Sequence, residues 1–340
     1  MEEQSRSILI TLGYISHTST VFLEEAYDII IVDNLSNSDI SVLDKIQTIT
    51  KKPKFYNIDI RNLEELEKVF KNHPNIDVIH FAAKKAVGES CQDPFLYYDN
   101  NVITNNLLKL MQKYDKKNIV FSSSATVYDS PKLLPPFSEN DRVGTYNPYG
   151  TTKLIMEYML KDLATFKFNV VNLRYFNPIA HHSLIEDPKI PSNLIPYILK
   201  VANEIEYVQI FGDDYDTPDG TGVRDYIHVM DVAEAHLSAF NQILKYHEYL
   251  LENKIDPDKY FDVFNITGDG KSVKEMIELV EKVTEKKIPY KIVSRRPGDI
   301  DTSIANVQKA KQVLGREYSR SMYQAIEDAW RFTQKGNSNS

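Results

Sequence analysis

The sequence predicts an α/β protein: a doubly wound parallel sheet covered by helices on both faces, followed by a smaller C-terminal α/β unit. Three observations carry this. Short β-branched runs recur through the first half of the chain, at Ser7–Thr11, Asp28–Val32, Lys54–Ile58, Asp77–Phe81, Asn118–Ser122 and Asn169–Leu173. They are apolar almost throughout instead of alternating with polar residues, the pattern of strands buried on both faces. Longer segments of helical period separate them, and a strand, helix, strand repeat winds into a parallel sheet.

The elements follow in order. Between the third and fourth strands, Asn62 to Phe70 places Leu63, Leu66, Val69 and Phe70 on one helical face, and Asn100 to Tyr114 repeats the pattern over a longer helix. After about residue 180 the alternation weakens. Prolines stand at 188, 191 and 196, and Phe211 to Arg224 is rich in Asp, Gly and Thr, which reads as a loop-built second unit. A helix near Val273–Thr284, a short strand at Tyr290–Val293 and a closing helix near Ser321–Gln334 complete it, before a low-complexity end at Gly336–Ser340. The expected division is residues 1–180, with a segment near 226–250 returning to them, and residues 181–340.

With 340 residues, 42% of them hydrophobic, the chain can bury a substantial core. A net charge of −8 without a run of five like charges argues against a surface for nucleic acid or anionic lipid. Cys91 is the single cysteine and the N-terminus is polar, so a reducing, cytoplasmic setting is expected. Apolar runs such as Ile29–Val32 fall far short of the roughly 20 residues that span a bilayer. His181 and His182 lack Cys or carboxylate partners at ligand spacing, so no metal is expected.

Tyr149 and Lys153 are four residues apart, which puts both side chains on one helical face, one turn apart. A phenol with an ordinary pKa of about 10 is a poor base at neutral pH, but an adjacent ammonium favours its phenolate. Taken alone the pair also reads as a solvated helix face. Its context is Phe121-Ser122-Ser123-Ser124-Ala125-Thr126-Val127-Tyr128 at the end of an apolar strand, where an open α/β sheet keeps its ligands.

With these residues stand Val32-Asp33-Asn34-Leu35-Ser36-Asn37-Ser38, His80-Phe81-Ala82-Ala83-Lys84-Lys85-Ala86-Val87-Gly88-Glu89-Ser90, Asn147-Pro148-Tyr149-Gly150, Leu173-Arg174-Tyr175-Phe176-Asn177-Pro178 and Gly222-Val223-Arg224-Asp225-Tyr226-Ile227-His228-Val229. On them the chain closely resembles the UDP-glucose 4-epimerases of the extended short-chain dehydrogenase family, from about Ile8 to Trp330. The resemblance implies a Rossmann-like NAD-binding domain, a UDP-sugar-binding domain and a homodimer formed through Asn100–Tyr114 and Lys153–Leu163. It implies Ser124, Tyr149 and Lys153 as the catalytic set. Around NAD it places Gly13, Tyr14, Ile15, Asp33, Asn34, Asn37, Ser38, Asp59, Ile60, Phe81, Ala82, Lys85, Asn100 and Phe176, with Tyr149 and Lys153. An acidic residue after the second strand favours NAD over NADP. Around the UDP-hexose it places Asn177, Asn193, Leu194, Gln209, Phe211, Arg224, Tyr226, Arg296 and Asp299, with Ser124 and Tyr149. Paired arginines suit diphosphate because their forks bind its oxygens bidentately. Ser303 stands where such pockets carry a tyrosine, which implies room for N-acetylated sugars.

Related 4,6-dehydratases carry an Asp-Glu pair just after the serine; Ala125-Thr126 follows here, which excludes dehydration. An NAD-dependent sugar-nucleotide dehydrogenase or reductase would use the same three residues and release NADH. The sharpest departure from the family lies in glycine. The chain has only 12, about half the usual share of roughly 7%, and its first turn reads Thr11-Leu12-Gly13-Tyr14-Ile15-Ser16-His17 where the family opens on a glycine-rich loop. Single glycines are also missing after Tyr128, within Asn177–Pro191 and after Ile266. Such clean excision, sparing every chemical residue, points to glycine codons lost in conceptual translation; the rival reading is decay to a non-catalytic binding protein. An intact mass equal to that of these 340 residues would sink the lost-codon reading.

Overall fold

The computed structural model describes residues 6–11, 14–24, 26–36, 40–51, 53–81, 84, 86–180, 194–203, 207–255, 260–296, 299–315 and 319–337. The first half runs β1 (Ser7–Thr11), α1 (Tyr14–Glu24), β2 (Asp28–Asp33), α2 (Ile40–Ile49), β3 (Lys54–Asn57), α3 (Leu63–Asn72), β4 (Ile76–His80), α4 (Val87–Gln92), α5 (Pro94–Lys113), β5 (Asn118–Ser124), α6 (Pro148–Ala164) and β6 (Asn169–Tyr175). The second runs β7 (Asn177–Ile179), α7 (Leu194–Asn203), β8 (Val208–Phe211), β9 (Val223–His228), α8 (Val229–Glu252), β10 (Tyr260–Ile266), β11 (Asp269–Ser272), α9 (Val273–Thr284), β12 (Tyr290–Val293), β13 (Thr302–Ser303), α10 (Gln308–Leu314) and α11 (Met322–Asn337).

Seven strands form one parallel sheet in the order β3-β2-β1-β4-β5-β6-β10. The apolar strands are explained by burial on both sides. Successive residues of β1 point to opposite faces: Ile8 and Ile10 join Val171, Leu173, Phe264 and the α8 residues Val232 and Phe240. Leu9 joins Val78, Phe121, Leu107 and Leu160 under α5 and α6. Chain direction across the sheet reverses between β1 and β4, which opens a crevice at the carboxyl ends of the strands.

Two features went beyond the sequence reading. β10 joins the large sheet beside β6, so the second half of the chain contributes an edge strand as well as α8. The helix expected from Asn100 begins six residues earlier, at Pro94, where Asp93 accepts the Leu96 amide at 3.1 Å and proline occupies the first turn.

Far from the crevice, a side-chain ladder crosses the amino ends of four strands. Arg6 donates to Asp77 at 2.9 Å, Asn118 to Asp77 at 2.9 Å, Asn169 to Asn118 at 2.9 Å, and the Tyr260 amide to Asn169 at 3.2 Å. The smaller unit has its own core, in which α7, α9 and α11 pack Ile198, Met276, Ile277 and Ile326 against Val208, Ile210 and Tyr226. Among the described residues no helix is long and apolar enough to cross a membrane.

Candidate active site

Asn147 caps α6, accepting the Gly150 amide at 2.8 Å, and Pro148 occupies the first turn. Gly150 is needed there: a Cβ would stand 2.7 Å from the Thr126 carbonyl oxygen, so glycine lets the helix reach the turn after β5. This contact sets Tyr149 and Lys153 over the end of that strand.

Three consecutive serines of β5 each meet one side chain of α6. The Ser122 carbonyl accepts from Lys153 Nζ at 2.7 Å, Ser123 Oγ donates to Glu157, and the Ser124 hydroxyl is near enough to Tyr149 to act on its pKa. Ser124 Oγ also accepts the Thr126 amide at 3.2 Å and the Thr126 hydroxyl at 3.0 Å, which fixes its rotamer. Burial raises the pKa of Tyr149 while the bond to Ser124 lowers it. Burial pushes Lys153 down to about 7, opposed by the Glu157 charge. Tyr149 and Lys153 therefore both lie in a buried setting whose charge balance is local.

The pocket walls include side chains that the sequence reading had not singled out. The Tyr97 ring meets Tyr149 edge-on with centroids 6.4 Å apart, and its hydroxyl is held by Ala86 and Glu89. Tyr175 packs on His236, which is within 3.3 Å of Ser122 Oγ. Glu157 is paired with Arg174. Glu157 was findable one turn beyond Lys153 on the same helical face; its partner, seventeen residues on in another strand, was not.

On the cofactor side, Thr11 Oγ1 accepts the Phe81 amide at 3.0 Å, joining the ends of β1 and β4 across the crevice. Asp33 ends β2, is nearly buried, and accepts the Leu35 amide at 2.7 Å. Asn34 donates to Asp59 at 2.8 Å, and Arg61 grips the same carboxylate, holding it near 2. Ile60 is buried beside them and Ile15 is half-buried on α1. Tyr14 and Asn100 are placed by their backbones alone, within α1 and α5. Gly13, Asn37, Ser38, Ala82, Lys85 and Asn193, like His181 and His182, lie outside the described residues.

On the opposite side, the four strands β7, β9, β11 and β13 form a small sheet. Arg224 on β9 donates to the Ile300 carbonyl at 2.9 Å and lies 3.6 Å from Asp299. The Arg296 guanidinium rests 3.8 Å over the Phe211 ring, and Arg295 stacks likewise on Tyr215. Asn177 donates to the Asp225 carbonyl at 2.7 Å, Phe176 packs with Tyr128 and Phe137, and Leu194 begins α7. Two expected residues are placed differently from the rest: Tyr226 is buried in the core of the smaller unit, and Gln209 is exposed on β8. Among the described residues no three His, Cys, Asp or Glu side chains are grouped to hold a metal.

Residues 11–329 match the family model described as GDP-mannose 4,6 dehydratase. The UDP-glucose 4-epimerase of Bacillus subtilis (strain 168) is 45% identical over 339 residues, 96% of each chain. The chain belongs to the UDP-glucose 4-epimerase family. Its fold superposes with a TM-score of 0.89 on the UDP-glucose 4-epimerase of Stenotrophomonas maltophila with bound NAD and formylated UDP-arabinopyranose, at 38% identity, covering 98% of this chain and 100% of that one. The Bifidobacterium longum epimerase in complex with NAD+ and UDP matches with a TM-score of 0.87 at 43% identity and the same coverage. Within this epimerase family the dehydratase description of the broader model does not extend to the chemistry of the site. The turn after Ser124 carries Ala125 and Thr126, and the Thr126 hydroxyl is spent on Ser124, so no carboxylate stands there to expel water.

Proposed function

We propose that the chain interconverts UDP-glucose and UDP-galactose by reversible epimerisation at C4, with NAD as its resident cofactor. The observation that carries this reading is Tyr149 and Lys153 buried one helical turn apart over the carboxyl end of β5, with Lys153 Nζ donating to the Ser122 carbonyl at 2.7 Å. The crevice suits a dinucleotide: Asp33 offers a nearly buried carboxylate for a ribose at the end of β2, and Asn34, hydrogen-bonded to Asp59, follows it with Ile60 nearby.

When bound, NAD would supply the hydride acceptor and donor for C4. Tyr149 removes the proton of the 4-hydroxyl, Ser124 shares that hydrogen bond and orients the oxygen, and the Lys153 ammonium stabilises the phenolate. After the ketone has turned over, Tyr149 returns the proton. Arg224, Arg296 and Asp299 hold the nucleotide diphosphate and ribose, with Phe211 against the base. Grip concentrated on UDP leaves the hexose free to turn.

Purified holoenzyme given UDP-galactose is expected to form UDP-glucose without net NADH. Stoichiometric NADH would instead make it a dehydrogenase, and no conversion with NAD bound would remove the epimerase reading. Ser303, paired with Arg224 in the small sheet, supports turnover of UDP-N-acetylglucosamine in the same assay.

We also infer a homodimer in a cytoplasmic setting. Phe95 and Tyr98 on α5 and Ile155 and Tyr158 on α6 are exposed apolar side chains on adjacent helices, with Phe95 77% exposed. Light scattering is expected to give twice 39.2 kDa, and Phe95→Asp with Tyr158→Asp to give monomer. A wild-type monomer at all concentrations removes the idea. For the division of the chain, residues 1–180 with 226–250 are taken as the cofactor domain and 181–340 mainly as the sugar-nucleotide domain.

A further inference from the structure

We propose that Glu157, locked to Arg174, is a positioning residue of this site: it maintains the charge of Lys153 and ties α6 to the end of β5, so that Tyr149 meets Ser124. The proposal rests on the epimerase reading above.

Glu157 and Arg174 are both almost wholly buried. Arg174 Nε donates to Glu157 Oε1 at 2.9 Å and Nη2 to Oε2 at 2.5 Å, a bidentate pair, and Ser123 Oγ donates to Oε1 as well. The remaining arginine arm donates to the Glu139 carbonyl at 3.2 Å, and the guanidinium lies 4.8 Å over the Tyr128 ring. A buried ion pair is weak evidence for stability, because desolvating two charges costs about as much as their attraction returns. Its position accounts for it better. Tyr149, Lys153 and Glu157 are successive i+4 positions of one helix face, and Lys153 and Glu157 meet adjacent serines of β5.

The surroundings of Lys153 make Glu157 decisive. From β4 it faces His80, held near 3 by burial; from α8, His236 lies beyond Ser122, held near 4 by burial; one turn back on α6 stands Tyr149, against which Tyr97 and Tyr175 lie, and burial raises the pKa of all three tyrosines. Those five are neutral at neutral pH. Phe121 offers only its ring, 4.9 Å from Nζ. Among the described residues Glu157 is the one whose charge favours the ammonium, and Arg174 tempers it.

Opposite shifts follow for two neutral variants, Glu157→Gln, which is isosteric, and Arg174→Gln, which is shorter. The side-chain carbon NMR shift of Lys153, assigned by its loss in Lys153→Met, titrates whether or not the chain turns over sugar. In Glu157→Gln its midpoint is expected to fall by about one pH unit, and in Arg174→Gln, which leaves the carboxylate untempered, to rise by a similar amount. The alkaline limb of kcat should follow each shift, with KM for UDP-galactose unchanged because the diphosphate is held elsewhere. A purely structural pair would lower Tm in both variants and leave the midpoint in place; that result, or shifts of the same sign, overturns the proposal. If Glu157→Gln fails to fold, the sign of the Arg174→Gln shift still decides. A wild-type protein without epimerase activity whose Lys153 midpoint obeys these signs would remove the epimerase reading and leave the role of Glu157 standing.

Discussion

Replacing Tyr149 with phenylalanine is expected to lower kcat for UDP-galactose by about 10²–10⁴-fold, the usual worth of a positioned acid–base group, with KM little changed. The ring would keep its edge contact with Tyr97, and the Asn147 cap and Gly150 approach would be untouched. Only the phenolic hydroxyl is lost. A loss seen in kcat and in kcat/KM equally marks an interaction made in the transition state. Steady-state kinetics on protein with verified NAD content would measure it. A decrease smaller than tenfold would move the base to another residue.

The second large effect concerns stability. Phe264→Ala is expected to cost about 3–5 kcal/mol, the range for truncating a buried phenylalanine. Phe264 is fully buried in the middle of β10, packed in the cluster between the sheet and α8, with the Lys309 ammonium 4.9 Å from its ring centre. Urea denaturation should show a lower midpoint at unchanged slope. A cost below about 1 kcal/mol, the centre of the range for ordinary substitutions, would mean that β10 is not part of the cooperative unit.

The same strand shows where sequence reading stops. Five of the early strands were legible because they are rich in apolar residues and buried between two helical layers, and β3, at the far edge and only partly buried, was legible from its place in the strand, helix, strand repeat. β10 sits at an edge and carries Asp262 and Asn265, whose polar atoms are answered from far along the chain: Lys309 meets Asp262, and Asn265 accepts from Tyr128 and donates to the Phe137 carbonyl. No local pattern announces such partners. The Tyr149–Lys153 pair was legible because the two residues are one helical turn apart. Arg296 over Phe211, and Arg174 on Glu157, join residues that only the folded chain brings together. The start of α5 at Asp93-Pro94 was a readable signal passed over because the apolar period is clearer further on.

Because α6 is read by β5 at three successive levels, it tolerates a change of residue far better than a change of length. Its outer positions, such as Ile155 and Tyr158, are exposed and free of the serines. One residue inserted between Tyr149 and Glu157 would turn everything beyond it by about 100° around the helix axis. Either the base or the carboxylate would then leave its serine, and no side-chain substitution could restore both. Heritable insertions in this region should therefore be confined to the chain before Asn147 or beyond Ala164, where a loop can absorb them without rotating the chemistry.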